Sequence, residues 1–413
     1  MKFYQLDAAQ RRQQLVAEGY LTSEAAAAWA QPALPSSVGQ ALSENTIGEF
    51  ALPVGIARQL QVNGQVYQVP MATEEPSVVA AASNGARLAA LNGGVTATTT
   101  AHLVTGEIVF ADLPDPSKVQ ALITERQTVL ILAAQEAHPS IVRRGGGVQL
   151  ITATVLGRFL KVTVVVDTQA AMGANIVNTI CEHLAAVLEQ WVKQTALVAI
   201  LSNASAQLTT ATVTLAPETL ATKAVAGAEI ASRIALLSEL AQVDRDRAVT
   251  HNKGIMNGVE AAVLASGNDT RAVSTSVGEY AAHTGQYQPL STWQLDQGLL
   301  VGTLRLPLPV GIVGGAISAL PRAQAVKALG RYDTVATLQQ VLASLGLVQN
   351  LAALRALAGP GIQAGHMALQ ANALAMAAGA HGPEIGTVAK ALQHTTKDLA
   401  TAQALLADLR QKG

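Results

Sequence analysis

The chain has 413 residues, enough for two or three domains at about 100–200 residues each. Half of the residues are hydrophobic, so a large core is feasible, and a net charge of −1 with no long basic run excludes the basic face that a nucleic-acid partner needs. A single cysteine, Cys181, excludes an intramolecular disulfide framework and fits a reducing compartment.

The first seven residues carry no apolar signal-peptide core. The most apolar uncharged stretch, 306–321, is shorter than the ~20 residues of a spanning helix and is rich in Gly and Pro. A cytoplasmic protein without a membrane anchor is therefore expected. Residues 8–30 read as helical, with Leu15, Ala17, Tyr20 and Leu21 as apolar positions, until Pro32, Pro35 and Ser36-Ser37 break the pattern. Residues 51–69 read as short strands around Asn63-Gly64, a hairpin signal. A helix over 78–91 stops at Asn92-Gly93-Gly94. Strand-like segments at 102–104 and 108–110 precede Pro114-Asp115-Pro116-Ser117, which opens a helix through 137. Gly145-Gly146-Gly147 leads into a strand over 148–156, joined by a tight turn at Gly157 to another over 158–166. Residues 173–192 read as a helix that buries Cys181 as a packing residue. Of the β-rich segments 196–202 and 207–215, at least one closes the sheet. The order β-α-β-β-α-β is that of a split, ferredoxin-like βαβ unit.

After Pro217 an amphipathic helix is expected over 221–243, a shorter one over 258–266, and a strand over 303–308. Helices follow from 322 to about 345 and over 349–358, then an Ala-rich helical tail beyond Gly359-Pro360-Gly361. The expected fold class is α+β: a large mixed domain from 1–100 and 216–360, an inserted ferredoxin-like domain over 101–215, and a helical C-terminal flap over 361–413.

Five segments carry candidate chemistry. The first runs from Glu44-Asn45-Thr46-Ile47-Gly48 to Pro70-Met71-Ala72-Thr73-Glu74-Glu75-Pro76-Ser77; its acidic pair also reads as an ordinary helix start, with Ser77 as a cap. Asp244-Arg245-Asp246-Arg247 and Thr250-His251-Asn252-Lys253-Gly254-Ile255-Met256-Asn257-Gly258 read, alone, as a solvated charged loop. Ser266-Gly267-Asn268-Asp269-Thr270-Arg271 is rich in turn residues. Gly361-Ile362-Gln363-Ala364-Gly365-His366 places an imidazole among glycines. Asp167-Thr168-Gln169-Ala170-Ala171-Met172-Gly173-Ala174-Asn175 follows a strand and opens a helix, so its N–H groups can face a pyrophosphate, although it is not the G-x-G-x-x-G fingerprint. The remaining histidines show no metal-ligand spacing, and no metal is expected.

Long and, taken along the chain, in family order, these five segments together with 306–321 resemble those of 3-hydroxy-3-methylglutaryl-CoA reductase, in its soluble second class, over most of the chain. The resemblance implies reduction of 3-hydroxy-3-methylglutaryl-CoA to mevalonate and CoA with two NADPH. It makes Lys253 the cation that stabilises the thioester oxyanion, usually the largest catalytic term. Glu75 becomes the proton donor and Asp269 the bridge between Lys253 and Glu75. A carboxylate beside Glu75, together with burial, favours its neutral form, while Lys253 opposes that. His366 protonates the departing CoA thiolate, and an imidazole pKa near ~6.5 suits the task. Arg247 clamps the substrate carboxylate, and Glu44, Ser77 and Asn257 stand near the substrate.

Ala170, Met172, Gly173, Ala174 and Asn175 form the cofactor segment. Asn203 either reaches the nicotinamide or forms a turn. Ala170 stands where many members carry Asp, which removes a charge that would repel a 2′-phosphate. NADPH is therefore expected, with NADH possible and Arg143-Arg144 as a candidate phosphate partner. Arg11-Arg12 reads as a solvated helix face or a contact for CoA phosphates. The resemblance also implies a homodimer with sites at the subunit interface. Two other readings stay open: the same enzyme run oxidatively with NAD to degrade mevalonate, and a catalytically silent CoA- or nucleotide-binding protein.

Overall fold

The computed structural model describes residues 3–30, 34–205, 207–359, 371–393 and 395–412. Among them, ten strands form three antiparallel sheets. The first is the hairpin β1 (Val54–Val62) and β2 (Gln65–Ala72). Its turn residues Asn63 and Gly64 both take positive φ, 50° and 79°, as a type I′ turn requires. The second sheet has the order β3 (Thr96–Thr99), β8 (Thr209–Leu215), β10 (Leu299–Leu306), β9 (Ser291–Asp296).

The third sheet is β5 (Gly147–Leu156), β6 (Phe159–Asp167), β4 (Leu103–Ala111), β7 (Val198–Leu201). This is the strand order of the split βαβ unit read from periodicity. Helices Pro116–Glu125, Gln127–Ala137 and Ala174–Val192 supply the other half of its core, where Phe110, Leu160, Val162, Ile180 and Cys181 are buried. Of the two β-rich segments after that last helix, β7 closes this sheet and β8 joins the other. β3 and β8 flank the small sheet in sequence and pair with each other, Thr99 opposite Thr209. The chain thus leaves for the small sheet and returns from it at one rung of one ladder.

The main core is built on the helix Val335–Ala358, buried along most of its length. It packs against the helices Arg245–Ala265 and Val78–Ala90 and against β8 and β10. The expected break near 346–348 is absent; the chain turns instead at Arg331, with φ 53°. Gly346 sits within the helix as a packing residue, since Val259, Ile255 and Leu304 come within 2.9–3.1 Å of where its Cβ would stand. Among the described residues this helix, not 306–321, is the one long and apolar enough to cross a membrane, yet 78% of its apolar window is buried inside the protein. A second correction concerns 244–266. The expected loop and short helix are one helix, Arg245–Ala265, capped by Asp244, whose side chain accepts from Asp246 N. Strand β9 was not read from the sequence at all. Helices Pro383–Leu392 and Leu399–Lys412 share a small core of their own around Ala375, Leu392 and Leu406.

Candidate active site

β2 ends at Ala72, and Thr73 Oγ1 accepts from Glu75 N at 3.1 Å. The next helix starts only at Val78, with Ser77 in the left-handed region at φ 77° and no side-chain cap. The acidic pair therefore precedes the helix instead of forming its first turn, and the capping reading of Ser77 fails. Released from that duty, Glu75 turns to the Arg245–Ala265 helix. Its Oε2 meets Lys253 Nζ at 2.9 Å, across 178 residues of sequence. The two side chains are 36% and 62% exposed, and such pairs contribute about 0–1 kcal/mol, so stability does not explain the contact.

Lys253 is held from behind. His251 and Asn252 point into the core beside it. Asn252 Nδ2 donates to the Gln288 carbonyl at 2.9 Å, and its Oδ1 accepts from Leu290 N at 2.8 Å. Ser291 Oγ donates to Asn350 Oδ1 at 2.9 Å, so His251 Nε2–H donates to Ser291 Oγ at 2.6 Å. His251 Nδ1 is buried without a partner. Burial, with the Arg247 charge adding to it, pushes the His251 pKa down to about 4. The residue is thus a neutral anchor in a helix, not a loop residue. Asn257 lies one turn on from Lys253, about 6 Å along the axis. Arg247 lies about 9 Å back and about 120° round. Its Nε is buried with no partner, and burial lowers its pKa against the pull of Asp244.

Asp269 is placed differently from expectation. Its Oδ1 accepts from Arg271 N and Ala272 N at 2.9 and 3.1 Å, capping the helix Thr270–Ala282. Among the described residues, no hydrogen bond or ion pair joins it to Lys253 or Glu75. The burial expected of Glu75 is not found, since its side chain is 36% exposed. Glu44 is exposed in the irregular segment after the helix Ser36–Leu42. His366 lies outside the described residues.

The cofactor segment sits at the start of the 19-residue helix Ala174–Val192. Gly173, at φ 100°, caps it with no side chain, which leaves the first N–H groups of Ala174 and Asn175 open to an anion. A crevice beside it is lined by Met172 and Asn203 together with His102, Gln207 and Gln339. Ala170 packs against the main core. Both oxygens of Asp167 are taken by Gln169, its N and Nε2 each at 2.8 Å. The Arg143-Arg144 turn leads into Gly146, which abuts Asp167 and Gln169. On the substrate side, a cavity of about 600 Å³ is lined by Ser77, Trp29, Arg11, Arg12 and Arg58.

The family model described as hydroxymethylglutaryl-coenzyme A reductase matches residues 8–371. The chain is 41% identical to the 3-hydroxy-3-methylglutaryl-coenzyme A reductase of Archaeoglobus fulgidus over 94% of this chain and 88% of that protein. The chain belongs to the hydroxymethylglutaryl-coenzyme A reductase family. It is also 34% identical to a probable 3-hydroxy-3-methylglutaryl-coenzyme A reductase of Borreliella burgdorferi, over 80% of this chain and 76% of the relative. A solved reductase from Streptococcus pneumoniae superposes with a TM-score of 0.85 at 40% identity, covering 98% of this chain and 99% of its own. A second structure from that organism, described as a class II enzyme bound to NADPH in open conformations, gives 0.83 over 86% of this chain and 98% of its own. The resemblance to the second class drawn from the sequence agrees with these matches. The protein is an oxidoreductase acting on 3-hydroxy-3-methylglutaryl-CoA, the reaction of the mevalonate pathway.

For a reductase of this family, the sequence left three things unread. Arg58, with Arg11 and Arg12, lines one cavity; only the Arg11-Arg12 doublet hinted at it. His102 and Gln339 border the cofactor crevice, one just before β4 and one in the core helix, with no local motif to announce either. His251 and Asn252 anchor Lys253, and their one signal was adjacency to it.

Proposed function

We propose that the chain reduces 3-hydroxy-3-methylglutaryl-CoA to mevalonate at a site built on Lys253 and Glu75. The observation that carries this is the 2.9 Å Lys253–Glu75 pair beside an arginine-lined cavity. Lys253 holds the thioester oxygen as negative charge develops on it, and Glu75 is the proton donor to that oxygen. The cavity takes the CoA arm, with its arginines toward the phosphates. Arg247 Nε, buried and unpaired, takes the carboxylate of the acyl group. The bare N-terminus at Gly173 fits a pyrophosphate, and NADPH, when bound there, supplies both hydrides. After the first reduction the hemithioacetal collapses and His366 protonates the CoA thiolate. Gln169 occupies the Asp167 carboxylate, and Arg143-Arg144 stands two residues before Gly146, which abuts Asp167; both support a 2′-phosphate over a bare ribose hydroxyl.

The same reading makes the protein a cytoplasmic homodimer in which Asp269 completes the Lys253–Glu75 pair across the subunit interface. Exposure of Ile47, Phe50, Leu236 and Val243 supports a covered surface. The division into a large unit, an inserted unit and a C-terminal flap is supported by separate cores, with the inserted unit ending before β8, because Ala211, Val213 and Leu215 lie in the main core and not in that of the small sheet. The test is Lys253→Ala, assayed with both cofactors and in both directions. Turnover should fall by about 10²–10³, the loss expected for one oxyanion donor. A rise in KM with turnover intact would reduce Lys253 to a binding residue and overturn the mechanism.

A further inference from the structure

The stretch after β10 runs as a strap between the Asp269 turn and the cofactor loop. On one side, Asn268 grips Gly311 through both of its polar groups. Gly311 N donates to Asn268 Oδ1 at 2.7 Å, and Asn268 Nδ2 donates to the Gly311 carbonyl at 3.1 Å. The same Nδ2 donates to Ser266 Oγ at 2.9 Å, and that hydroxyl donates onward to the Val263 carbonyl at 2.8 Å. On the other side, Ile312 N donates to the Ala170 carbonyl at 2.8 Å, and Ala171 bridges Val313 in parallel. Gly311 lies so close to the loop that a Cβ there would clash with Met172 N. Lys327 Nζ steadies the strap at the Ile312 carbonyl, 2.9 Å away. The loop is backed by His102, whose Nε2–H donates to the Ala171 carbonyl at 3.0 Å. Asn268 is 8% exposed, so removing its amide leaves two buried peptide groups of Gly311 unpaired.

We infer that Asn268 is a positioning residue for the nicotinamide cofactor: through Gly311 and Ile312 it sets where loop 170–173 stands relative to Lys253. Asn268 and Asp269 thus divide the work of one turn, one holding the cofactor loop and the other capping the helix Thr270–Ala282. The inference rests on the reading that loop 170–175 takes NADPH. It is tested in the full-length protein by direct titration of NADPH, by calorimetric binding of 3-hydroxy-3-methylglutarate, and by thermal melting. Asn268→Ala and Gly311→Ala should each weaken NADPH binding at least tenfold while leaving 3-hydroxy-3-methylglutarate binding within about twofold. Because both act through Gly311, the double variant should be no weaker than the weaker single one. Asn268→Asp keeps the acceptor for Gly311 N and should lose less than Asn268→Ala. Unchanged NADPH affinity in folded variants overturns the inference, as does equal loss of both ligands. Gly173→Asp separates the two ideas. If it abolishes NADPH binding while Asn268→Ala does not, only the strap falls. If it leaves binding intact, the reading of the loop falls and takes the strap with it.

Discussion

Glu75 and His251 show how two ionisable groups a few residues apart in space acquire opposite tasks. Glu75 stands half-exposed at the surface, in direct contact with the Lys253 ammonium. Glu75→Gln should fold and bind substrate normally yet lose most thioester reduction, since the amide keeps the size but has no proton to give. Near wild-type turnover would remove Glu75 from the mechanism. His251 does no chemistry and is held neutral. Its folded pKa of about 4 lies below the ~6.5 of an unfolded histidine. Between those values the unfolded chain binds a proton that the folded one refuses, so stability falls as pH drops from 6.5 towards 4. The loss is about 3 kcal/mol. About 2 kcal/mol of it falls between pH 7 and pH 5, and urea unfolding at those two values should show that loss for the wild type and not for His251→Asn; equal losses in both would place the effect elsewhere.

Elements were legible where local chemistry dictated them. The Asn63-Gly64 turn, the Gly157 turn and the stop at Asn92-Gly93-Gly94 need only near neighbours, and they appear where the sequence put them. The helix Arg245–Ala265 was hidden because its polar residues are not on one outer face: His251 and Asn252 are buried in partnerships with β9 and the loop before it. The core helix was misread because Gly346 looks like a break until Val259 and Ile255 are known to press on it. The same logic hid the bridge expected of Asp269, since capping its own helix is a local claim on the same oxygen. Gly85 is the sharpest case. It lies in the helix after Ser77, and a Cβ there would clash with the Val348 carbonyl of the core helix. Gly85→Ala gains up to about 1 kcal/mol of helix propensity. Overpacking at this crossing should exceed that gain and cost about 1–3 kcal/mol net. Chemical denaturation measures it, and a stabilised variant would mean that the two helices separate freely.

Across the molecule, the proposed chemistry draws on segments outside the main core. His366 belongs to the segment between the main core and the C-terminal helices. His366→Gln should therefore spare reduction of free mevaldehyde while crippling the reaction from the thioester, because only the thioester route expels a thiolate. Deleting the chain after Gly359 should have the same effect, and equal loss in both half-reactions would assign His366 to hydride transfer or folding. The rung shared by β3 and β8 bears on folding in a different way. To the main sheet, the chain between Thr99 and Thr209 is one excursion closed by one ladder and tied down again at Ala170 and Ala171 by the strap. Replacing a loop of roughly 100 residues by a four-residue linker lowers the closure entropy by about 3 kcal/mol. A chain with 101–207 excised should thus fold its main core, bind CoA and fail to bind NADPH. Because Thr99 and Thr209 stand side by side on one ladder, the small sheet hangs from the main one as a pendant from a clasp: the two cut ends already meet, and neither has to move when it is removed.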